Sequence, residues 1–561
     1  MQEIDTLIIG SGAAGLSAAI CLSRAGQNVL VLEQHDVPGG WCHSFLLNGQ
    51  RFSPGVHYIG MMEKGEPTSA LYEGLGIAND LTFFRMNPGG YEHIHIGSRK
   101  TDLPAGLDNL VESLSQQFPH EKKGLKKYLR MVRAVSDQLQ FIVNMRGFWD
   151  NITVVYRTRF LGKYGLFSLK RVINWFIKDP QLQQVLNAQC GDHGLPPSMA
   201  SFPLHCAVMD HYFNGAYYPM GGGAGIVKAM TKAISKHGGE VRTRQRVKKI
   251  ILEDSGNGKR AVGVELAGGE VIRAKQIISN ADPDKTFLEM VGEENLSGKL
   301  RKRLANTTYS VTSLLFFLTV DMEVRPAMDS GNIWMLKDED VDDIYRKMVA
   351  DDILTDDEFP GLFISCTTLK DPPSFNGRYH NIEMVTFIDY KTFEKFKSEG
   401  AMKSPEYLAA KKRICEKMLN SLEKILPGVR DNIVQMELGT PVSNEYYLNA
   451  TRGNAYGTEK ILRQSGPFSF KSKTEIENLY MCGASILAHG VAGASNSGVK
   501  TASLILKCDP ADLLRPDPLQ QVRIFDAEDS TGWSEQIHEK IKNRKARFKD
   551  VEANALKQDN L

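Results

Sequence analysis

Three glycines, Gly10, Gly12 and Gly15, fall in the run Gly10-Ser11-Gly12-Ala13-Ala14-Gly15, between an apolar stretch Ile4–Ile9 and a helical one reaching about Ala25. That spacing suits a pyrophosphate. Gly10 permits a tight turn out of a strand, Gly12 lets backbone approach a phosphate, and Gly15 lets helix and strand pack closely. The helix that starts at Ala13 and Ala14 offers free N–H groups to the anion. After a turn at Gly26 a second strand, Val29–Leu32, ends on Glu33, an acid placed to accept hydrogen bonds from ribose hydroxyls. Glycines in this pattern say little alone; between a strand and a helix, with an acid closing the next strand, they read as a dinucleotide site.

At 561 residues the chain is longer than one compact domain usually reaches, so two packed domains with room for a buried cofactor are expected. Charge is nearly balanced, 68 Lys and Arg against 66 Asp and Glu, which gives no case for a nucleic-acid partner. The 8 cysteines are scattered, without a CxxC pair. We read no histidine at metal-ligand spacing beside them, so reduced thiols, a cytoplasmic setting and no metal site are expected. The chain runs straight from Met1 into the Ile4–Ile9 strand, leaving no room for an export signal. No run of about 18 apolar residues suggests a spanning helix.

Beyond Glu33 the chain continues through Gln34 to a diglycine, Gly39-Gly40, then Trp41-Cys42-His43-Ser44, backbone able to pass close under a second part of the same cofactor. Strand, ribose acid and diglycine together resemble those of FAD-containing amine oxidases and phytoene desaturases, so FAD is expected rather than NAD. Two more segments carry the resemblance. One is Leu479–Ala484, a short strand ending on Gly483 and Ala484, followed by Ala488–Ala494 and a small-residue helix from Ser495 to about Leu506. The resemblance puts Gly483 and Ala484 by the pyrophosphate and ribityl chain and Val491 and Ala492 at a helix N-terminus aimed at the flavin, where positive helix ends favour an anionic reduced ring. Ala484, without a following proline, departs from the commoner family versions. The other segment, Gly239–Ile250 with Ala274–Pro283, resembles the adenine-flanking strands, with Val247 on the adenine side.

These motifs make the chain, up to about residue 507, similar to carotenoid isomerases, bacterial phytoene desaturases and retinol saturases, with Ser53-Pro54-Gly55-Val56-His57-Tyr58-Ile59-Gly60 looking most like the last. The fold class this implies is α/β: a Rossmann-type FAD-binding domain in an amine oxidase/GDI-like two-domain architecture, with a discontinuous α+β substrate domain. The FAD domain is expected from 1–104, 215–306 and 440–507, the substrate domain from 105–214, helical in pattern, and 307–439, where Ser310–Val320, Ile333–Leu336, Leu362–Leu369 and Ile382–Ile388 read as strands. Residues 508–561 form a charged helical tail whose Trp533, Ile537 and Ile541 are expected to dock.

The implied activity is FAD-dependent saturation, desaturation or cis–trans isomerisation of double bonds in a long apolar polyene or isoprenoid, retinol-like or carotenoid-like, with hydride exchanged at flavin N5. His57 and Tyr58, just past the diglycine loop, and His489 by the flavin-facing turn are the candidate proton-passing groups. Two alternatives stay open: an amine-oxidase-like activity on another substrate, and a non-enzymatic prenyl-binding escort of the GDP-dissociation-inhibitor kind. The glycine run Pro219–Gly225 follows no clear apolar strand and is not read as a second nucleotide loop, so NAD(P) as electron donor or acceptor stays open. Asn151–Lys178 holds six Lys or Arg and no acid among aromatic and aliphatic residues, a composition suited to peripheral membrane contact.

Overall fold

The computed structural model describes residues 4–143, 145, 147–256, 258–350, 352–398, 400–515 and 517–558, with side chains up to Asp550. Residues 1–3 and 559–561, the outer ends of the first and last expected units, lie outside the described residues.

Two seven-stranded sheets organise the chain. The first is built on Ile4–Ile9, flanked in parallel by Val29–Leu32 and Val271–Ser279, with Glu240–Arg242 and Leu479–Met481 extending the parallel pairing on either side. Its central strands are apolar almost throughout, as strands covered on both faces must be: Leu7, Ile8, Leu30 and Val31 are buried. An antiparallel extension, Val247–Ser255 and Gly258–Leu266, leaves from Val271–Ser279. Helices Ala13–Arg24 and Gly490–Leu506 pack together on this sheet. They approach so closely that a Cβ on Gly498 would lie 2.0 Å from the Ala14 carbonyl oxygen. The second helix begins at Gly490, five residues before the expected Ser495.

The second sheet runs in the order Ile433–Gly439, Thr312–Val320, His380–Ile388, Gly361–Cys366, Asn332–Leu336, Glu92–Ile96, Arg99–Leu103. All nine residues of Thr312–Val320 are buried, because helices cover one face and the other closes over a cavity. The last two strands correct an expected boundary: Glu92–Leu103, read with the FAD domain, belongs to this sheet, paired in parallel with Asn332–Leu336. Sequence spacing could not reveal a partner some 240 residues away. Helices Leu107–Gln117, Lys122–Val143, Gly147–Arg157, Arg159–Tyr164, Leu169–Phe176, Pro180–Asn187 and Phe202–Tyr212 fill 105–214.

A small third sheet gathers Thr82–Arg85, Tyr217–Pro219 and Arg523–Asp526. The last two were not read as strands from the sequence, since each is short and takes its pairing from Thr82–Arg85. The tail is therefore not helical throughout; its long helix, Glu535–Gln558, follows the strand. Ile537 is buried with Phe84, and Trp533 and Ile541 pack beside them.

Candidate active site

A continuous cavity is lined from both large sheets. Gly10, Gly12, Ala13, Ala14, Glu33, Gln34, Gly39, Gly40, Val247, Gly483, Ala484 and Val491 all line it, as do His57, Tyr58 and His489. Gly15 and Ala492 do not. Gly15 serves packing, since a Cβ there would lie 2.3 Å from the Gly10 carbonyl oxygen, and Ala492 packs against the core of the first sheet.

The dinucleotide end fits an anionic, ribose-bearing cofactor by its own hydrogen bonding. Helices Ala13–Arg24 and Gly490–Leu506 start at Gly12 and His489 with no side-chain cap, so their first N–H groups are free for phosphate or flavin oxygen. Helix Gly223–Lys236 is different: Ser53 Oγ accepts from Gly223 N–H at 3.3 Å and Ser44 Oγ from Ala224 N–H at 3.1 Å. The Pro219–Gly225 turn is thus satisfied by the chain's own hydroxyls. Glu33 accepts from Ser11 N–H at 3.0 Å, Ser11 Oγ at 2.6 Å and His35 N–H at 2.9 Å. A carboxylate has about four acceptor sites, so one stays available to a ribose hydroxyl. Asn280, not singled out from the sequence, sits over the glycine turn; a Cβ on Gly12 would lie 2.6 Å from its Nδ2.

Around the other end, His57 Nδ1 lies 3.1 Å from Glu383 Oε2, and Tyr58 donates its phenol proton to Asp192 Oδ2 at 2.6 Å. His489 Nε2 lies 2.8 Å from the Asp192 carbonyl oxygen. Burial, aided by the charge of Lys460, pulls the His489 imidazole down to about 4; it is a neutral ring whose N–H is spent on that carbonyl. Asp192 and Glu383 went unnoticed in the sequence because each reaches the site from a distant element, a 3-10 turn Ala188–His193 and strand His380–Ile388. Beyond these polar groups the wall is mainly apolar, formed by Trp334, Leu336, Ile344, Met348, Phe363 and Phe387, with Tyr345, Tyr456 and Thr386 adding hydroxyls.

One expectation about the cysteines is corrected. Cys190 and His193 share the turn Ala188–His193, and with His205 their donor atoms lie within 4.8 Å of one another, all buried. His193 Nε2 and His205 Nδ1 are 3.4 Å apart, while His193 Nδ1 and His205 Nε2 have no hydrogen-bond partner.

The profile of the family described as flavin containing amine oxidoreductase matches residues 13–506. The chain belongs to that family. Membership of that family implies FAD, which the Gly10–Ala14 turn, Glu33, Gly39-Gly40, Gly483 and the Gly490 helix end, all lining the cavity, would hold. When bound, the flavin supplies two-electron redox chemistry. Among curated relatives, the all-trans-retinol 13,14-reductase of Danio rerio is 28% identical over 530 residues, spanning 90% of this chain and 86% of that protein. The chloroplastic prolycopene isomerase of Daucus carota is 27% identical, spanning 89% and 80%. A triple mutant of putrescine oxidase redesigned for cofactor binding shares the fold, with a TM-score of 0.62 at 16% identity over 90% of this chain and 99% of that one.

Proposed function

We propose that this flavoenzyme acts on carbon–carbon double bonds of a long apolar polyene or isoprenoid, of retinoid or carotenoid kind, by saturation, desaturation or isomerisation. The observation that carries the reading is the cavity itself: past His57 and Asp192 its wall is aromatic and aliphatic, which suits a hydrocarbon chain and offers little to a polar amine. The names of the reductase and isomerase relatives agree with it. The FAD motifs disfavour a colourless escort, and purified protein that is yellow and bleaches on reduction excludes one. Retinol, phytoene and cis-carotenes incubated anaerobically with reduced and with oxidised enzyme separate the chemistries by product mass: two hydrogens gained, two lost, or none. Bleaching by NADPH or NADH under the same conditions decides whether NAD(P)H is the electron donor.

Of the three proton-passing candidates, Tyr58 fits the role. His489 is neutral and committed to a backbone carbonyl, and His57 is held by Glu383, so we assign both to positioning.

The same reading includes peripheral membrane contact. Helix Gly147–Arg157 has no buried residue, and Phe148, Trp149, Ile152, Val155 and Tyr156 are each more than half exposed along it. Arg159, Lys163 and Arg171 stand exposed nearby. An apolar helix face beside cations that pair with no acid among the described residues matches a lipid headgroup layer. This surface begins earlier than the expected 151–178, and Lys170 drops out of it, since it pairs with Asp340 and Asp342. Among the described residues no helix is long and apolar enough to cross a membrane.

A further inference from the structure

Three acidic groups stand in sequence at the cavity wall. Asp192 lines the cavity and takes the Tyr58 phenol proton at 2.6 Å. Its backbone is pinned twice, by Tyr456, which donates to the Gly191 carbonyl at 2.7 Å, and by His489 at the Asp192 carbonyl. Tyr58 cannot swing away: its ring stacks on Tyr212 at 4.2 Å and faces Phe363 at 6.2 Å. On the side away from the cavity lies Glu92, with no exposed surface. Its Oε1 accepts from Asn332 Nδ2 at 3.2 Å, its Oε2 has no partner, and its carboxyl feels the Tyr58 hydroxyl.

Glu92 is closed off from solvent, Asp192 is half-buried at the cavity wall, and cationic charge is scarce. The titratable groups facing the two carboxyls are Tyr91, Tyr212, Tyr345 and Tyr456, which burial keeps as phenols, the Cys190 thiol, which burial keeps protonated, the neutral His489 and Lys370. Lys370 Nζ bonds the His57 carbonyl and Asn332 Oδ1, and burial pulls its ammonium down to about 8. Burial raises Asp192 to about 7 despite the Tyr58 hydrogen bond, and burial plus the charge of Asp192 raises Glu92 to about 8. Two carboxylates beside one phenol cannot both ionise readily at neutral pH in such a site, so the group retains a proton, and the Tyr58 hydroxyl is the group felt by both carboxyls.

We infer that Glu92, Tyr58 and Asp192 form a proton relay, in which Asp192 gives its carboxyl proton to the substrate carbon and Tyr58 reloads it from Glu92. The inference rests on the proposed polyene reduction. In that reaction a bound reduced flavin would supply the hydride to one alkene carbon, and the displaced π pair on the other carbon takes the Asp192 proton. The new C–H bond replaces the O–H bond, leaving Asp192 as carboxylate. The Tyr58 proton then moves to Asp192 Oδ2 as Tyr58 takes the proton of Glu92. One proton has left Glu92 and one has entered product; once product leaves, solvent in the emptied cavity supplies Asp192 as its proton passes back through Tyr58 to Glu92. Asp192 is thus a catalytic residue, and Tyr58 and Glu92 act through it.

The test uses flavin-loaded enzyme and two readouts. Infrared spectra without substrate should show a protonated-carboxyl C=O band at pH 6 that fades as pH rises through 7 to 8, part of it missing in Asp192→Asn and part in Glu92→Gln. No such band at pH 6, or a band untouched by both substitutions, overturns the relay. In single turnover of pre-reduced enzyme at pH 6, Asp192→Asn should lose on the order of 10²–10⁴-fold in rate, the usual loss for a missing general acid. Glu92→Gln should spare that first turnover and slow later ones, because only reloading needs Glu92. Asp192→Asn at the wild-type rate overturns the relay. Wild-type enzyme that turns over no polyene overturns the substrate reading alone, and the infrared band then decides the relay.

Discussion

Glu383 holds the His57 ring at 3.1 Å, Oε2 to Nδ1, from a side chain only 1% exposed. Its other oxygen accepts the Ser53 N–H at 2.7 Å. A carboxylate on the second sheet thereby fastens the Ser53–Tyr58 segment, which otherwise belongs to the flavin side of the cavity.

This bolt predicts the behaviour of two variants. His57→Gln should keep its flavin and most of its single-turnover rate, because the ring positions rather than donates. Glu383→Gln should lower unfolding stability by about 1.5–3 kcal/mol, the worth of a hydrogen bond to a charged group, and raise KM more than it lowers kcat. Denaturant unfolding, flavin absorbance after gel filtration and single-turnover rates check both. A His57→Gln enzyme with full flavin and a rate as low as that of Asp192→Asn would return His57 to the chemical step.

Flavin retention should hinge on Glu33 through Ser11. Because Glu33 fixes Ser11 by both N–H and hydroxyl, and Ser11 Oγ accepts from Gly39 N–H at 3.0 Å, one carboxylate sets the geometry of both glycine turns. Glu33→Ala should purify largely without flavin and unfold at lower temperature even as apoprotein. Ser11→Ala should fall between it and wild type. Stoichiometric flavin in Glu33→Ala would remove this residue from the cofactor site.

Much of the dinucleotide end was legible because local rules write it: turn glycines, a helix start and a strand-end acid stand within thirty residues. Val247, Gly483 and His489 needed family resemblance, since the spacing between them carries no physical constraint. Asp192, Glu92 and Glu383 were invisible for another reason. Each is an ordinary charged residue in its own element, made unusual only when tertiary packing buries it beside a partner more than 90 residues away. The Glu92–Leu103 hairpin was misassigned by the same logic, for its alternating burial fits an edge of either sheet and only the long-range pairing with Asn332–Leu336 decides.

The exposed helix Gly147–Arg157 predicts salt-sensitive lipid binding. Replacing Arg159, Lys163 and Arg171 with Gln should weaken association with vesicles containing anionic lipid by roughly 1 kcal/mol per residue, an effect that added salt mimics. Phe148→Ser with Trp149→Ser should weaken binding even at high salt, where apolar insertion alone remains. Lys170→Gln should leave binding unchanged, since its charge is spent on Asp340 and Asp342. Cosedimentation equal to wild type in both the cationic and the aromatic variants would rule out this face.

A last prediction concerns pH and the edge of the second sheet. His93 bridges Asp102, Nδ1 to Oδ1 at 2.7 Å, and Asp329, Nε2 to Oδ1 at 2.9 Å, tying the Glu92–Leu103 hairpin to the loop before Asn332. Burial opposes its charge, but hydrogen bonds to Asp102 and Asp329 and their negative charges outweigh burial and raise the imidazole to about 10. A histidine raised in the folded state binds its proton more tightly there than in the unfolded chain, where it titrates near 6.5. Its stabilisation is complete below about pH 6.5 and is lost as pH climbs towards 10. The magnitude at pH 6 should be on the order of 2 kcal/mol, held down by solvent screening at the more exposed Asp102. Because Lys370, Lys417 and Lys460 are pulled down to about 8 and act with the opposite sign at alkaline pH, the quantity to measure is the difference between wild type and His93→Asn. That gap in unfolding free energy should be widest at pH 6 and shrink steadily to pH 10. A gap that stays constant across the range would mean that His93 is neutral in the folded protein and that the two aspartates do not hold its proton.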